Sequence, residues 1–371
     1  MADFASGKIQ GFAGPTELGA PDDLEEVILD FINGANKTLD IAVQELDSKP
    51  IAQAILDARC RGVKVRLVME QDYLARSELP PIPLPPSIPP DDDDLPLTVN
   101  REILRALLLY AVDVKADFNP KIFHQKFIIR DKSRPETRAV LTGSTNFTYT
   151  GTRKNLNHVV IFHDLGICKA YQAEFDEIRS GTFGALNPRQ RDKPKTFNIE
   201  GVPVRILFAP EDAPELEIIK QMLKCNSRLD FAIFTFSGSS GIDDAMTILR
   251  AAGRELQGVF DPGQGSMWWA ASHWLHDKGV KVYLPREVEG FGKLHHKLMV
   301  IDEAIVIGGS MNYTAPANEY NDENIFVIGN PYDLPESKGG PVDHDACAEI
   351  ARYFRGEIER IIDTSDLYQT D

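Results

Sequence analysis

His124, Lys126 and Asp131 stand at the spacing H-x-K-x4-D in FHQKFIIRD, and His295, Lys297 and Asp302 repeat it in HHKLMVIDE. Gly143-Ser144-Thr145-Asn146 follows the first copy and Gly309-Ser310-Met311-Asn312 the second, each trailed by an aromatic residue, Phe147 or Tyr313. With 8 His, 19 Lys and 32 Asp in the chain, one such spacing arises by chance in about 0.04 chains. Two complete copies are therefore a signal. These residue types suit phosphodiester chemistry, in which anionic oxygens repel a nucleophile and the leaving alkoxide is strongly basic. Cleavage takes a nucleophile, a proton donor, and cations or N–H groups around the phosphoryl oxygens. Two histidines can share the first two tasks. Two lysines with the Ser and Asn side chains can perform the third. H-x-K fits a strand, where alternate residues face one way, so each histidine points with its lysine.

The elements that must position these residues alternate between strand and helix. Leu24, Val27, Ile28, Phe31 and Ile32 recur at helical spacing behind an acidic first turn, which the helix dipole favours. Strands are predicted over 39–43 and 63–68 around a helix over 51–61, and an edge strand over 9–13. Strands over 124–131 and 138–142 carry the first motif, and a helix over 167–179 closes the half. The pattern predicts an α/β fold with mixed, mostly parallel sheets flanked by helices. Leu229-Asp230-Phe231-Ala232-Ile233 then matches Leu39-Asp40-Ile41-Ala42-Val43 at an offset of 190, whereas the His-Lys-Asp motifs lie 171 apart. The difference, 190 − 171 = 19, is the length of the Pro- and Asp-rich stretch Leu79–Leu97, which reads as an extended insertion in the first copy. The predicted organisation is a first domain over 1–180 with this insertion at 79–97, a linker over 181–200, and a second domain over 201–371. A terminal helix is predicted over 343–362.

The doubled H-x-K-x4-D…G-S-x-N signature resembles the phospholipase D superfamily. The resemblance implies two tandem, pseudo-twofold-related domains with both motifs meeting in one cleft. It also implies a two-step reaction through a phosphohistidine. In relatives the first-half histidine usually attacks, which assigns His124 as nucleophile and His295 as acid/base. Lys126 and Lys297 would bind the phosphate as point charges. Ser144, Asn146, Ser310 and Asn312 would donate to it or hold the site together. Asp131 and Asp302 are counted with the catalytic set, with a structural or orienting job placed ahead of a direct one. In Asn321-Asp322-Glu323-Asn324, Glu323 takes the place where relatives put a carboxylate bonded to the other half's histidine, and it is assigned to orient His124. The matching stretch Asn155-Leu156-Asn157-His158 puts Asn157 there, a departure that argues against a carboxylate partner for His295 and fits unequal roles for the two histidines. No metal or other cofactor is implied, since lysines and imidazoles already supply the positive field.

Around these motifs the blander readings prevail. His296 faces away from His295 on the strand and suits a core or supporting place. His273 and His276 fall in a helix predicted over 267–278 and lack further zinc ligands. Trp268 and Trp269 suit core packing ahead of lining a cleft or gripping a lipid, and the Asp91–Asp94 run suits a solvated loop.

Composition bounds the partners. The formal net charge is −16, which argues against a broad basic surface for nucleic acid. Its distribution is uneven: residues 1–195 hold 25 basic and 28 acidic side chains, and residues 196–371 hold 15 and 28. The four cysteines are scattered without metal spacing. The N-terminus has no basic n-region or apolar run, and no 18-residue apolar stretch occurs, which predicts a cytoplasmic protein without a transmembrane segment. The favoured substrate is a phosphodiester in nucleic acid, DNA or RNA, or another intracellular diester, with membrane phospholipid as the alternative. With both motifs on one chain, a monomer suffices for catalysis.

Overall fold

The computed structural model describes residues 2–73, 96–119, 121–184, 194–329 and 341–369. Most of the 79–97 insertion lies outside these residues, and its last two, Pro96 and Leu97, open the helix Pro96–Leu109. In the first sheet the spatial order is Ala2–Phe4 (β1), Ile9–Gly14 (β2), Asn157–Phe162 (β8), Ala139–Gly143 (β7), Lys126–Arg130 (β6), Thr38–Val43 (β3), Lys64–Met69 (β4) and Asp113–Ala116 (β5). The second runs Ser365–Leu367 (β17), Lys281–Pro285 (β13), Glu255–Phe260 (β12), Arg228–Ile233 (β11), Lys297–Ile301 (β14), Ile305–Gly309 (β15), Glu323–Ile328 (β16), Val202–Ala209 (β10) and Thr196–Ile199 (β9). The order β8-β7-β6-β3-β4-β5 recurs as β16-β15-β14-β11-β12-β13, so the repeat read from the offsets is a repeat of topology.

Both sheets are mixed, but the parallel share is smaller than expected. Only β3-β4-β5 and β11-β12-β13 run parallel. The motif strands β6 and β14 return directly as β7 and β15, and a hairpin return forces antiparallel pairing. Two local expectations also change. β2 is interior, because the left-handed turn at Ala5, Ser6 and Gly7 folds β1 back onto it. Thr196–Ile199, within the expected linker, pairs with β10.

The two halves share a core. Asp164 accepts from Ile167 N–H and starts the helix Leu165–Ser180, and Asp343 does the same for His344–Asp363 through Ala346 N–H. The first helix buries Tyr171, Phe175 and Ile178, and the second buries Ile350, Phe354 and Ile358, all within one apolar cluster spanning both sheets. Across the halves, Tyr171 meets Phe208 edge-on at 5.2 Å and Phe162 meets Phe326 at 6.0 Å. Among the described residues no helix is long and apolar enough to cross a membrane.

The motif aspartates clasp the far ends of the motif strands. Asp131, at φ 47°, accepts from the N–H groups of Asn36, Lys37 and Thr38 at 2.8, 2.6 and 2.8 Å and from Thr137 Oγ1 at 2.7 Å. Asp302, at φ 50°, does the same with Asn226, Ser227 and Arg228 at 2.9, 2.9 and 3.1 Å and with Ser227 Oγ at 2.7 Å. A strand rises about 3.3 Å per residue, which carries each aspartate roughly 17 Å from its motif lysine. Of the two jobs expected of Asp131 and Asp302, these contacts favour the structural one placed first over membership of the catalytic set: they fix where β3 and β11 begin. Burial pushes both carboxyls up, but the converging donors outweigh it and hold them below the usual aspartate value. With folded pKa values depressed, their stabilisation is present above the unfolded pKa and disappears as pH falls through the folded one. Asp131→Asn is expected to lower the unfolding free energy by about 2 kcal/mol in urea titrations, while turnover of a soluble phosphodiester stays close to wild type. A stable variant without turnover would return Asp131 to the site.

Candidate active site

Each motif histidine lies in the extended approach to its strand, and that approach is stitched to the opposite half. His124 N–H donates to Asp322 O at 3.0 Å, and His295 N–H donates to Leu156 O at 2.9 Å. Parallel bridges join Phe123 to Asp322 and Leu156 to Leu294. Each histidine is thereby presented to the residue that opens β16 or β8. His124 Nδ1 lies 2.7 Å from Glu323 Oε2, and His295 Nδ1 lies 3.0 Å from Asn157 Oδ1. Serines from the G-S-x-N turns hold these partners in turn. Ser310 Oγ donates to Glu323 Oε2 at 2.6 Å and Ser144 Oγ to Asn157 Oδ1 at 2.7 Å. Asn321 Nδ2 adds a bond to Glu323 Oε1 at 3.3 Å, and Asn157 Nδ2 donates to Gly151 O at 2.9 Å. Ser144 and Ser310 thus hold the site together from behind. The two imidazoles meet edge-on with centroids 6.4 Å apart, near enough for one phosphoryl group to touch both.

The lysines complete the floor. Lys126 Nζ donates to His124 O at 2.8 Å and Gln44 Oε1 at 3.1 Å. Lys297 Nζ donates to His295 O at 2.9 Å and stands 5.0 Å above the Phe234 ring, which also lies 5.0 Å from the His295 ring. Gln44 and Phe234 occupy the same place after β3 and β11, at the offset of 190 that the sequence already shows. Their unlike chemistry hid them. Asn146 Nδ2 reaches Gln44 at 3.4 Å, and its Oδ1 is buried without a hydrogen-bond partner. Asn312 Oδ1 accepts from Thr235 N–H at 3.3 Å.

Burying so many cations together shifts their protons. Burial, then the neighbouring lysines, holds both His124 and His295 well below the usual imidazole value. Burial brings Lys126 down to about 7 and Lys297 well below its ordinary value. Burial raises Glu323 to about 8 against the pull of Lys126 and its hydrogen-bond donors. Glu45, another residue the spacing did not single out, is raised to about 7 by burial and Asp47, with Lys126 and Lys293 opposing. An anionic ligand would reverse the penalty on the lysines, so the arrangement is built for a phosphoryl group. Among the described residues, the acidic group close enough to share an ion is Glu174, Glu177 and Glu211, which contains no motif residue. His273 bonds instead to Met267 O at 2.8 Å, and the His276 ring packs on Tyr368.

The unlike partners make a testable asymmetry. A carboxylate favours the charged imidazole more than an amide does. Asn157→Glu is expected to raise the His295 pKa, and Glu323→Gln to lower that of His124, read by NMR titration. No change in either would dissociate the partners from the protonation of the rings.

Comparison with known proteins agrees with this geometry. The family described as cardiolipin synthase, PLD-like domain, matches residues 28–179 and 218–356, one stretch in each half. A mitochondrial cardiolipin hydrolase of Xenopus tropicalis is 29% identical over 144 residues, 39% of this chain and 55% of the relative. A phospholipase D of Rickettsia conorii is 26% identical over 151 residues, 41% of this chain and 62% of the relative. The chain thus spans little more than half the length of these curated relatives. The structure of phosphatidylserine synthase from Haemophilus influenzae superposes with a TM-score of 0.64 at 12% identity, over 99% of this chain and 89% of that one, a likeness of fold. With both halves matched and both motifs gathered at one site, the chain belongs to the phospholipase D superfamily.

Proposed function

We propose that the chain is a metal-independent phosphodiesterase that acts on phospholipid at a membrane surface. The observation that carries the substrate is a set of exposed apolar side chains on the segments before and after the motifs. Phe118 and Ile122 precede the first motif and are 74% and 46% exposed; Met267 and Trp268 precede the second and are 45% and 86% exposed. Tyr149 and Tyr320, just after the G-S-x-N turns, are 58% and 40% exposed. Trp268, read as core from the sequence, stands in solvent. Lysines accompany these rings: Lys121 lies over Tyr320 at 5.9 Å, Lys154 over Tyr149 at 5.6 Å and Lys293 over Phe234 at 5.4 Å. Exposed apolar groups interleaved with lysines suit the boundary between acyl chains and anionic headgroups. The relatives named for cardiolipin hydrolysis and phospholipase D activity support the same substrate class. The nucleic-acid reading favoured by the sequence loses ground to the exposed apolar side chains and to the relatives named for phospholipid chemistry.

In this reading Glu323 accepts from His124 Nδ1–H and leaves Nε2 as the nucleophile. Nε2 attacks phosphorus, the P–O bond to the leaving alcohol breaks, and His295, entering this step as the imidazolium with Nδ1–H on Asn157, protonates that oxygen from Nε2 and is left as the neutral Nδ1–H ring. The phosphorylated ring is cationic, and Glu323 balances it. Asn157 is neutral, so protonated His295 gives up its proton more readily. Water then loses a proton to His295 Nε2 and attacks phosphorus, and the N–P bond breaks to restore His124. Lys126 and Lys297 offset the charge on the phosphoryl oxygens. A first domain over 1–180, a linker over 181–200 and a second domain over 201–371 remain part of the same proposal, with the linker strand β9 paired onto the second sheet.

Purified protein in EDTA is expected to release headgroup alcohol from phosphatidylglycerol–cardiolipin vesicles and to leave single- and double-stranded DNA and RNA intact. His124→Ala should lose about 10⁴-fold or more in turnover. Trp268→Ala with Phe118→Ala should slow vesicle hydrolysis more than hydrolysis of a soluble diester. Faster cleavage of nucleic acid than of lipid would overturn the substrate, and a need for divalent metal would overturn the mechanism.

A further inference from the structure

Behind the two active histidines lies a second layer in which the halves differ. The residue after each motif histidine, Gln125 or His296, meets the residue after each orienting partner, Asn324 or His158. Behind His124 this layer is made of amides. Asn324 Nδ2 donates to Gln125 Oε1 at 2.6 Å, Thr142 Oγ1 donates to Asn324 Oδ1 at 2.7 Å, and Gln125 Nε2 reaches Glu174 Oε1 at 3.4 Å. Behind His295 it is made of imidazoles. His158 and His296 lie in nearly parallel planes, 3° apart, with their Nδ1 atoms 3.1 Å from one another. Both are fully buried.

The protons of this pair are fixed from both ends. Gly309 N–H donates to His158 Nε2 at 3.3 Å, so the His158 proton sits on Nδ1. That Nδ1–H faces His296 Nδ1 and, at 3.3 Å, Ser144 Oγ. The His296 proton then sits on Nε2, facing Glu357 Oε1 at 3.4 Å. Arg360 Nε and Nη2 each donate to Glu357 at 2.8 Å and hold it as a carboxylate. A further proton would set two N–H groups against each other or against Gly309. Burial first, and then the facing His296 ring, holds His158 well below the usual imidazole value, and burial lowers His296 against the pull of Glu357.

Ser144 is where this chain meets the site. Its Oγ accepts from His158 N–H at 3.1 Å and faces His158 Nδ1–H, which leaves its own proton for Asn157 Oδ1. Asn157 must then turn its oxygen, an acceptor, toward His295 Nδ1. We propose that His158 and His296 are positioning residues: their directed hydrogen-bond chain sets Asn157, and thereby holds His295 as the Nδ1–H tautomer with Nε2 free for proton transfer. The proposal rests on His295 being the acid/base, but its tautomer can be read without turnover.

The test replaces the imidazoles with the amides already used by the other half. His158→Asn with His296→Gln mirrors Asn324 and Gln125, so packing is preserved, and thermal melting checks the fold. In ¹⁵N-histidine NMR, the wild type should show His295 and His158 protonated at Nδ1 and His296 at Nε2, each assigned by the signal lost in its own single variant. The double variant should show mixed His295 tautomers, kcat on a soluble diester about tenfold lower, an unchanged KM, and a displaced alkaline limb in the pH profile. A folded double variant with wild-type kcat and an unmixed His295 would overturn the proposal. Should the double variant unfold, the wild-type spectrum decides alone, since a His158 proton on Nε2 or a charged pair also overturns it.

Discussion

Each active histidine takes its orienting hydrogen bond from the other half of the chain, and the rest of the structure is arranged around that exchange. His124 and Glu323 are both buried, at 6% and 0% exposure, so neither can fall back on water. Removing one member of such a pair strands the other, at a cost on the order of 3–5 kcal/mol. The strand-to-strand stitching at Asp322 and Leu156 and the aromatic packing of Tyr171 on Phe208 therefore serve a polar contact as much as a core. Fold and site share one interface.

The same interface explains why two ammonium groups can be buried side by side. A low dielectric penalises Lys126 and Lys297, yet it also magnifies their attraction for a phosphoryl oxygen once one arrives. Carbonyl oxygens of His124 and His295 hold the two Nζ atoms at matching places, so little has to move. The two lysines still differ in their second support, an amide at Gln44 and a ring face at Phe234. Near-symmetry of backbone therefore coexists with asymmetry of environment.

The sequence made the motif spacing, the repeat and the Glu323–Asn157 contrast legible, because each is a pattern along the chain. It also made the start of the helix at Leu24 legible, since Asp23 and the acidic first turn act within three residues. What it hid lies across the chain. Nothing in H-H-K says that His296 meets His158, a residue of the other half 138 positions away. The structural job of the aspartates, by contrast, was legible: a motif places residues together in sequence, whereas a five-residue strand carries its ends apart in space. Parallel pairing was overestimated because strand–helix alternation describes β3 to β5 and β11 to β13, while the motif strands return by hairpins. Trp268 was ranked as core ahead of lipid contact, since exposure of a tryptophan depends on the loop that bears it.

The unlike ends of β8 and β16 have a consequence for how such a site can be assembled. Two copies of the first half, joined by the same exchange, would give both histidines an Asn157. Two copies of the second would give both a Glu323. Either homodimer would own two equivalent rings with no preference between attacking and protonating. Only a heterologous pair yields one ring matched to a carboxylate and one to an amide. Covalent fusion of two diverged copies does more than raise their local concentration: it pairs the unlike halves and so gives the two rings unlike partners.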